Sequence, residues 1–427
     1  MCLANNFIHV QFEAIKTHGY FFVKTALHLK LESFQQILLI FLPFSLFFPI
    51  GIMYTGIILF ILTSLFSGQV IAKFKVLKAS SFFIPAVALL AWILFELLFL
   101  SNSIEGRWSA LIHYLIFLFG FLFITAGDGA WKKTAGDVYI AGAIYGATIY
   151  YLSHLNILPD WIIFRNYAIY AGNKSIALGI FHAIAAAWLL DAALSQADKK
   201  ALAVRLIAYF YISSAVLLFA MTRTGILLWF LLSLIAVLRH VKFSVRGILS
   251  LILGLVTLFA AWQLSPVVRE RAEVTIQSVR DFYNGQMGSG QGNRLQFIKI
   301  TGEMILEKPI IGHGIGSWLE QYPERALRAG ADETHGMSTP HNDYLLYGAE
   351  LGVVGVIGLL SIYLAIAIQG IRQIPQHGLG LFLISVTFFV GSMFNALLRD
   401  WRFGMPMMIL LAIAYRGSSD EVVNEDI

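Results

Sequence analysis

The chain has 427 residues, of which 58% are hydrophobic and 13% charged, and its 30 Lys and Arg against 25 Asp and Glu give a formal net charge of +5. So apolar a composition excludes a soluble domain of this length and makes the chain a polytopic, all-α membrane protein. The basic residues are scattered between apolar runs and form no continuous face for nucleic acid, and the lone Cys2 excludes an internal disulfide.

The first 30 or so residues carry Lys16, Lys24 and Lys30 but no small-residue cleavage site behind a short apolar core, so they read as an uncleaved N-terminus. A helix needs about 20 apolar residues to cross the hydrocarbon core. Runs near that length predict twelve transmembrane helices, at 34–50, 51–67, 81–100, 108–126, 134–152, 174–194, 201–220, 225–239, 247–264, 345–370, 378–397 and 403–416. The organisation follows: N-terminus 1–33, nine spans over 34–264, a large loop 265–344, three spans over 345–416, and a tail 417–427.

Positive charge tests this count, because Lys- and Arg-rich short loops gather on the cytoplasmic side. Lys73, Lys75 and Lys78, then Lys132 and Lys133, then Lys199, Lys200 and Arg205, then Arg239, Lys242 and Arg246, then Arg372, occupy alternate loops. Both termini fall with them. The opposite loops collect arginine and aromatic residues: Arg107 with Trp108, the 153–173 segment with Arg165, the Thr222–Gly225 corner, Arg399 to Arg402, and the long stretch 265–340.

That stretch divides into three. Pro266 to Phe282 and Arg294 to Leu306 have helical spacing of apolar residues, separated by a Gly-rich break at 284–293. Such helices lie along an interface or over the bundle. After Lys308-Pro309, the run Ile311-Gly312-His313-Gly314-Ile315-Gly316 reads as a turn that packs closely. No strand precedes it, so it is a poor phosphate loop. There is no convincing internal repeat, which weakens a transporter built from inverted halves.

Charge at the rim of a bilayer is costly and usually functional. Arg223, flanked by Thr222 and Thr224, either snorkels to lipid phosphate or forks onto a phosphate or pyrophosphate, with the hydroxyls as added donors. Arg165 reads as an interfacial anchor or a headgroup ligand, and Arg269 and Arg294 as solvated charges or further ligands; several arginines on one face would receive a polyanion. His341 follows Pro340 and precedes Asn342 and Asp343, either of which would cap the next span. The histidine either packs there or serves as a general base that titrates near neutral pH. Asp332, Glu333, His335, His341 and Asp343 fit no standard metal-ligand spacing. Glu96, inside the third span, is the exception to charges at the outer rim, and reads as a buried, partnered acid or as an error in the topology.

Thr-Arg-Thr-Gly at a span boundary, Arg294 opening a loop helix, Lys308-Pro-Ile-Ile-Gly-His-Gly-Ile-Gly-Ser-Trp318, and His341-Asn-Asp-Tyr-Leu before Glu350-Leu351-Gly352 together resemble the O-antigen ligase and polymerase superfamily, most of all its lipopolysaccharide O-antigen ligases. The motifs cover residues 220 to 360. The resemblance implies a membrane-embedded, GT-C-like glycosyltransferase in a bacterial inner membrane, its site facing the periplasm. It would take a glycan from undecaprenyl pyrophosphate and place it on a lipid A-core sugar hydroxyl. It implies functional roles for Arg223, Arg294 and His341, and a secondary one for Asp400. Asn342 and His313 are further secondary candidates. Thr222 stands where many relatives have serine, which keeps the hydroxyl.

Pyrophosphate is already a good leaving group and needs cations more than a proton donor. Arg165, Arg223, Arg269 and Arg294 are the candidates, acting without metal or other cofactor. The acceptor hydroxyl needs a base, His341, and attack opposite the departing pyrophosphate inverts the anomeric centre. An O-antigen polymerase or protein O-oligosaccharyltransferase with the same donor is the alternative. A lipid-linked glycan transporter is the remote one.

Overall fold

The computed structural model describes residues 30–68, 70–157, 173–220, 222–241, 266–284, 292–331 and 334–417, and all regular structure among them is helical. In chain order the helices are α1 (30–45), α2 (Ile50–Phe66), α3 (Val70–Lys78), α4 (Phe83–Phe95), α5 (Arg107–Tyr114), α6 (Phe117–Ile124), α7 (Trp131–His154), α8 (Asn173–Leu194), α9 (Lys199–Ser214), α10 (Arg223–His240), α11 (Pro266–Tyr283), α12 (Gly292–Glu307), α13 (Ser317–Arg328), α14 (Asp343–His377), α15 (Gly380–Gly391) and α16 (Trp401–Ala414).

Five stretches among the described residues are long and apolar enough to cross a membrane: Phe83–Leu100, Ile176–Leu194, Lys199–Phe219, Arg223–His240 and Asp343–His377. Counting the bent pairs α2–α3 and α5–α6 as one span each gives 7. Hydropathy predicts twelve. The five that differ are α1, α15 and α16, which are shorter than the about 20 residues a crossing takes, α7, which is 24 residues long but not apolar enough, and the expected ninth span, 247–264, which lies outside the described residues.

The bundle turns about α8, which packs against α7, α9, α10 and α15. Its Ala183, Ala185, Ala186 and Ala187 are fully buried, and small residues let neighbouring backbones approach where no hydrophobic effect drives helices together. Large apolar side chains such as Phe66, Ile84, Ile207 and Phe210 point outward, the sign of a lipid-facing perimeter. At the end of the bundle that carries the Lys- and Arg-rich loops, Asp191 of α8 accepts from both Arg239 (2.7 Å) and His240 (2.9 Å) of α10 and from the Leu379 amide (3.0 Å). That ties three elements at the expected cytoplasmic face.

At the other end, α4 closes in a π-helical turn, Glu96–Leu100, in which the Ser101 amide reaches back to the Glu96 carbonyl at 2.8 Å. Glu96 is fully buried and its carboxylate makes no hydrogen bond among the described residues. It opens the π-turn that closes the candidate span Phe83–Leu100.

Helix α14 determines how the outer loop meets the bundle. It is broken at Gly352 (φ 65°, ψ −168°). From Arg372 back to Gly352 is about 20 residues, or about 30 Å of helix, the thickness of the hydrocarbon core. A crossing by this helix therefore does not need the first turns, Asp343–Leu351. There α12 and α13 share a second, separate core with α14, formed by Phe297, Ile300, Met304, Trp318, Tyr322, Ala326, Ala331, Leu346 and Ala349.

Candidate active site at the outer end of the bundle

The break in α14 leaves carbonyls without their helical donors, and the glycine-rich turn supplies replacements. His313 N donates to Ala349 O (2.9 Å) and Gly314 N to Glu350 O (2.9 Å), and in the other direction the α14 amide of Val353 donates to Pro309 O (2.8 Å). Trp92 Nε1 of α4 donates to Leu351 O at 3.0 Å. The Glu350 side chain, fully buried, accepts from Tyr114 Oη (2.6 Å), Gly316 N (3.0 Å) and Trp318 N (3.2 Å). It caps α13, where free amides and the helix dipole favour negative charge. The Gly-His-Gly-Ile-Gly run is thus a docking turn, as its sequence predicts. His313 sits in that turn with Nε2 on the Met304 carbonyl (2.9 Å), away from the cluster around His341.

His341 occupies the residue before the α14 cap. Its φ is 51°, in the left-handed region, although it is not glycine. Such a conformation costs energy and persists where the surroundings over-determine it, a pattern that clusters at functional sites. Its amide donates to Thr339 Oγ1 (3.3 Å). Asn342 is the cap, accepting from Leu345 N at 3.0 Å. Asp343 takes no part in capping. It is fully buried and reaches sideways to the α15–α16 connection.

Helix α12 brings Phe297 edge-on to the His341 ring, with centroids 5.8 Å apart. Arg294, three residues earlier and so on the same helix face, acts on that ring too. Burial pushes the His341 imidazole below its ordinary value, the Arg294 guanidinium pushes it further down, and the Asp400 carboxylate pushes back up. Burial also lowers Arg294 itself. The net lowering favours the neutral imidazole, which has a lone pair to accept a proton. Asp400 caps α16 through Arg402 N (2.9 Å).

Arg223 opens α10, half-buried. The two threonines beside it are engaged as acceptors: Thr222 Oγ1 caps the helix through Gly225 N (3.3 Å), and the buried Thr224 Oγ1 accepts from Asn395 Nδ2 (3.2 Å). Both oxygens accept here, for the helix cap and for a tie onto the α15–α16 connection, and an accepting hydroxyl keeps its own O–H as a donor. A Cβ on Gly225 would meet Gly179 backbone at 3.1 Å, so glycine at this corner lets α10 lie against α8.

His341, Arg294 and Asp400 thus come together, and Arg223 joins their end of the bundle through Thr224 and Asn395. Arg165 and the side chain of Arg269 lie outside the described residues, as do Asp332 and Glu333. Sequence reasoning passed over Asp343 as an anchor, Ser392, Asn395, the capping role of Glu350, and Arg399, which is buried with its carbonyl on His113 Nδ1 (2.9 Å). Their partners are distant in sequence, and nothing in local composition marks them.

Residues 208–360 match the family model described as O-Antigen ligase. The match contains Arg223, Arg294, His341 and the Gly352 break; Asp400 lies beyond it. No curated protein matches the chain.

Proposed function

We propose that this chain, which matches the O-Antigen ligase family model over residues 208–360, is an O-antigen ligase of a bacterial inner membrane, moving a glycan from undecaprenyl pyrophosphate to a lipid A-core sugar hydroxyl on the periplasmic side. The observation that carries the chemistry is His341: a half-buried imidazole on a left-handed backbone residue, its neutral form favoured by burial and the Arg294 guanidinium and opposed by the Asp400 carboxylate.

In this reading the acceptor hydroxyl gives its proton to His341 as its oxygen attacks the anomeric carbon. The bond to the pyrophosphate oxygen breaks on the opposite side, with inversion. Arg223 and Arg294 neutralise the charge that develops on the leaving group, a role worth several kcal/mol in a water-poor site. Arg165 and Arg269 are further candidates for the same role, and no divalent ion is needed. Base assistance contributes about 100- to 10,000-fold. Asp400 opposes the effect of Arg294 on the imidazole and steadies the imidazolium that forms. The twelve-span, GT-C-like architecture belongs to this same reading. The position of Glu96 at the outer end of its span favours it over a glycan transporter.

Reconstitution in lipid vesicles with a lipid-linked glycan and lipid A-core tests it, with His341→Ala and Arg223→Ala beside the parent, all in chelator. The parent is expected to glycosylate the core, and both variants to lose that activity. An alanine variant working at the parent rate, or a parent abolished by chelator, overturns the mechanism. Elongation of the lipid-linked glycan without transfer to core identifies a polymerase.

A further inference from the structure

The connection between α15 and α16, residues 392–400, carries Asp400 and touches the starts of α10 and α14, beside Arg223 and His341. Asn395 holds Thr224, next to Arg223. Asn342, next to His341, donates from Nδ2 to Met393 O at 2.9 Å. Asp343 makes the densest set of contacts: its amide donates to Ser392 O (2.9 Å), and its Oδ2 accepts from Ser392 Oγ (2.8 Å) and from Leu398 N (3.1 Å). Ser392 Oγ also pairs with Tyr363 Oη at 2.8 Å, which fixes the hydroxyl to the next turns of α14. Past Leu398 the chain needs only two residues to reach Asp400.

The geometry points to Asp343 as a positioning residue that sets the distance between His341 and Asp400. One side chain spans both ends of the connection, two residues from the histidine on one side and two from the acid on the other. A fully buried carboxylate is costly to keep. Neither capping nor packing accounts for it here, because Asn342 already caps the helix and an apolar residue would pack at lower cost. Hydrogen bonds to ionised or polar buried groups are strong and directional, so the connection is held at both Ser392 and Leu398 instead of pivoting on one. Asp343 itself does not face the imidazole. The charged groups that act on the ring are Arg294 from α12 and Asp400 from the connection, with Phe297 packed edge-on between α12 and the ring.

This inference rests on the reading of His341 as the base, and its test is chosen to separate the two. The full-length protein in nanodiscs, labelled with 15N-histidine, gives the titration of His341, whose signal is assigned by its loss in His341→Gln. Asp400→Asn removes the charge that raises the imidazole and shifts its titration to lower pH. Asp343→Ala releases the connection and shifts it in the same direction. The double variant shifts no further than Asp400→Asn alone, and Asp343→Asn, which retains an acceptor oxygen, restores most of the parent position. Should the alanine chain fail to fold, Ser392→Ala carries the comparison, with a smaller shift of the same sign. A titration unmoved in the Asp343 or Ser392 variants while Asp400→Asn shifts it overturns the proposal, as do shifts that add in the double variant. Glycan transfer is measured on the same samples. A parent that transfers nothing to any acceptor removes the enzymatic reading, while the titration still decides the positioning role.

Discussion

Gly352 and Ile310 meet backbone to backbone: a Cβ on the glycine would stand 2.1 Å from the Ile310 carbonyl oxygen. The contact allows the turn after α12 to lie in the break of α14 and to satisfy its carbonyls. Gly352→Ala therefore carries two penalties, a positive φ with extended ψ that essentially only glycine adopts and that costs another residue about 1–3 kcal/mol, and an overlap that only backbone movement relieves. The outer loop is expected to undock while the bundle persists. Limited proteolysis in the loop would then cut faster than in the parent, and glycan transfer would fall with it. Gly302→Ala is the control, since nothing lies within 4 Å of its Cβ. In a helix interior that change is expected to stabilise by about 0.5–1 kcal/mol.

Much of this was legible in the sequence, and the limit is physical. Hydropathy marked nearly every helix, because burying or lipid-facing a backbone requires an apolar run. It did not mark their lengths: α15 ends at Gly391, and the six residues to Leu397 that look like its continuation form the connection that binds Asp343 and Thr224. His341 and Arg294 stood out as charges beside apolar runs. Asn395 and Ser392 did not, since each gains its meaning from a partner well removed along the chain, 171 positions for Asn395 and 49 for Ser392. Glu350 was visible within a motif, but its role as the cap of α13 depends on the break two residues later.

Arg223 offers a test of geometry against charge. Arginine presents a planar fork that grips two phosphate oxygens at once, whereas lysine is a compact point charge. Arg223→Lys keeps the charge at the start of α10, and its helix cap at Thr222 is untouched. Transfer is expected to fall strongly, by about tenfold or more, with thermal stability unchanged. A lysine variant at the parent rate would mean that Arg223 contributes charge alone or only meets lipid headgroups.

The pH dependence has a sign that follows from the neighbours of His341. A base must be neutral to accept the acceptor's proton, so transfer rises with pH through the imidazole ionisation and then levels. Burial and Arg294 both lower that ionisation from its ordinary value, so the rise is expected below about pH 6.5, with a flat profile through neutrality. Removing the cation in Arg294→Gln moves the limb to higher pH, and removing the anion in Asp400→Asn moves it lower. Profiles of kcat/KM read both shifts, since they report the ionisations of the free enzyme. A limb that stays in place in both variants would remove His341 from the role of base.

Glu350 separates assembly of the site from its chemistry. Its carboxylate accepts from one hydroxyl and two amides, and none of these contacts reaches His341. Glu350→Gln keeps the shape but turns one acceptor into a donor, which then faces a hydroxyl or an amide that also donates. Leaving a buried donor unsatisfied costs about 1–3 kcal/mol, and the lost negative charge at the start of α13 adds to it. The loop is expected to melt at lower temperature and transfer to decline, while the pH limb stays where the parent has it, because the surviving molecules carry an unaltered His341. A Glu350→Gln enzyme that is fully stable but displaced in pH would instead place this carboxylate in the electrostatics of the base, through Tyr114 and His113.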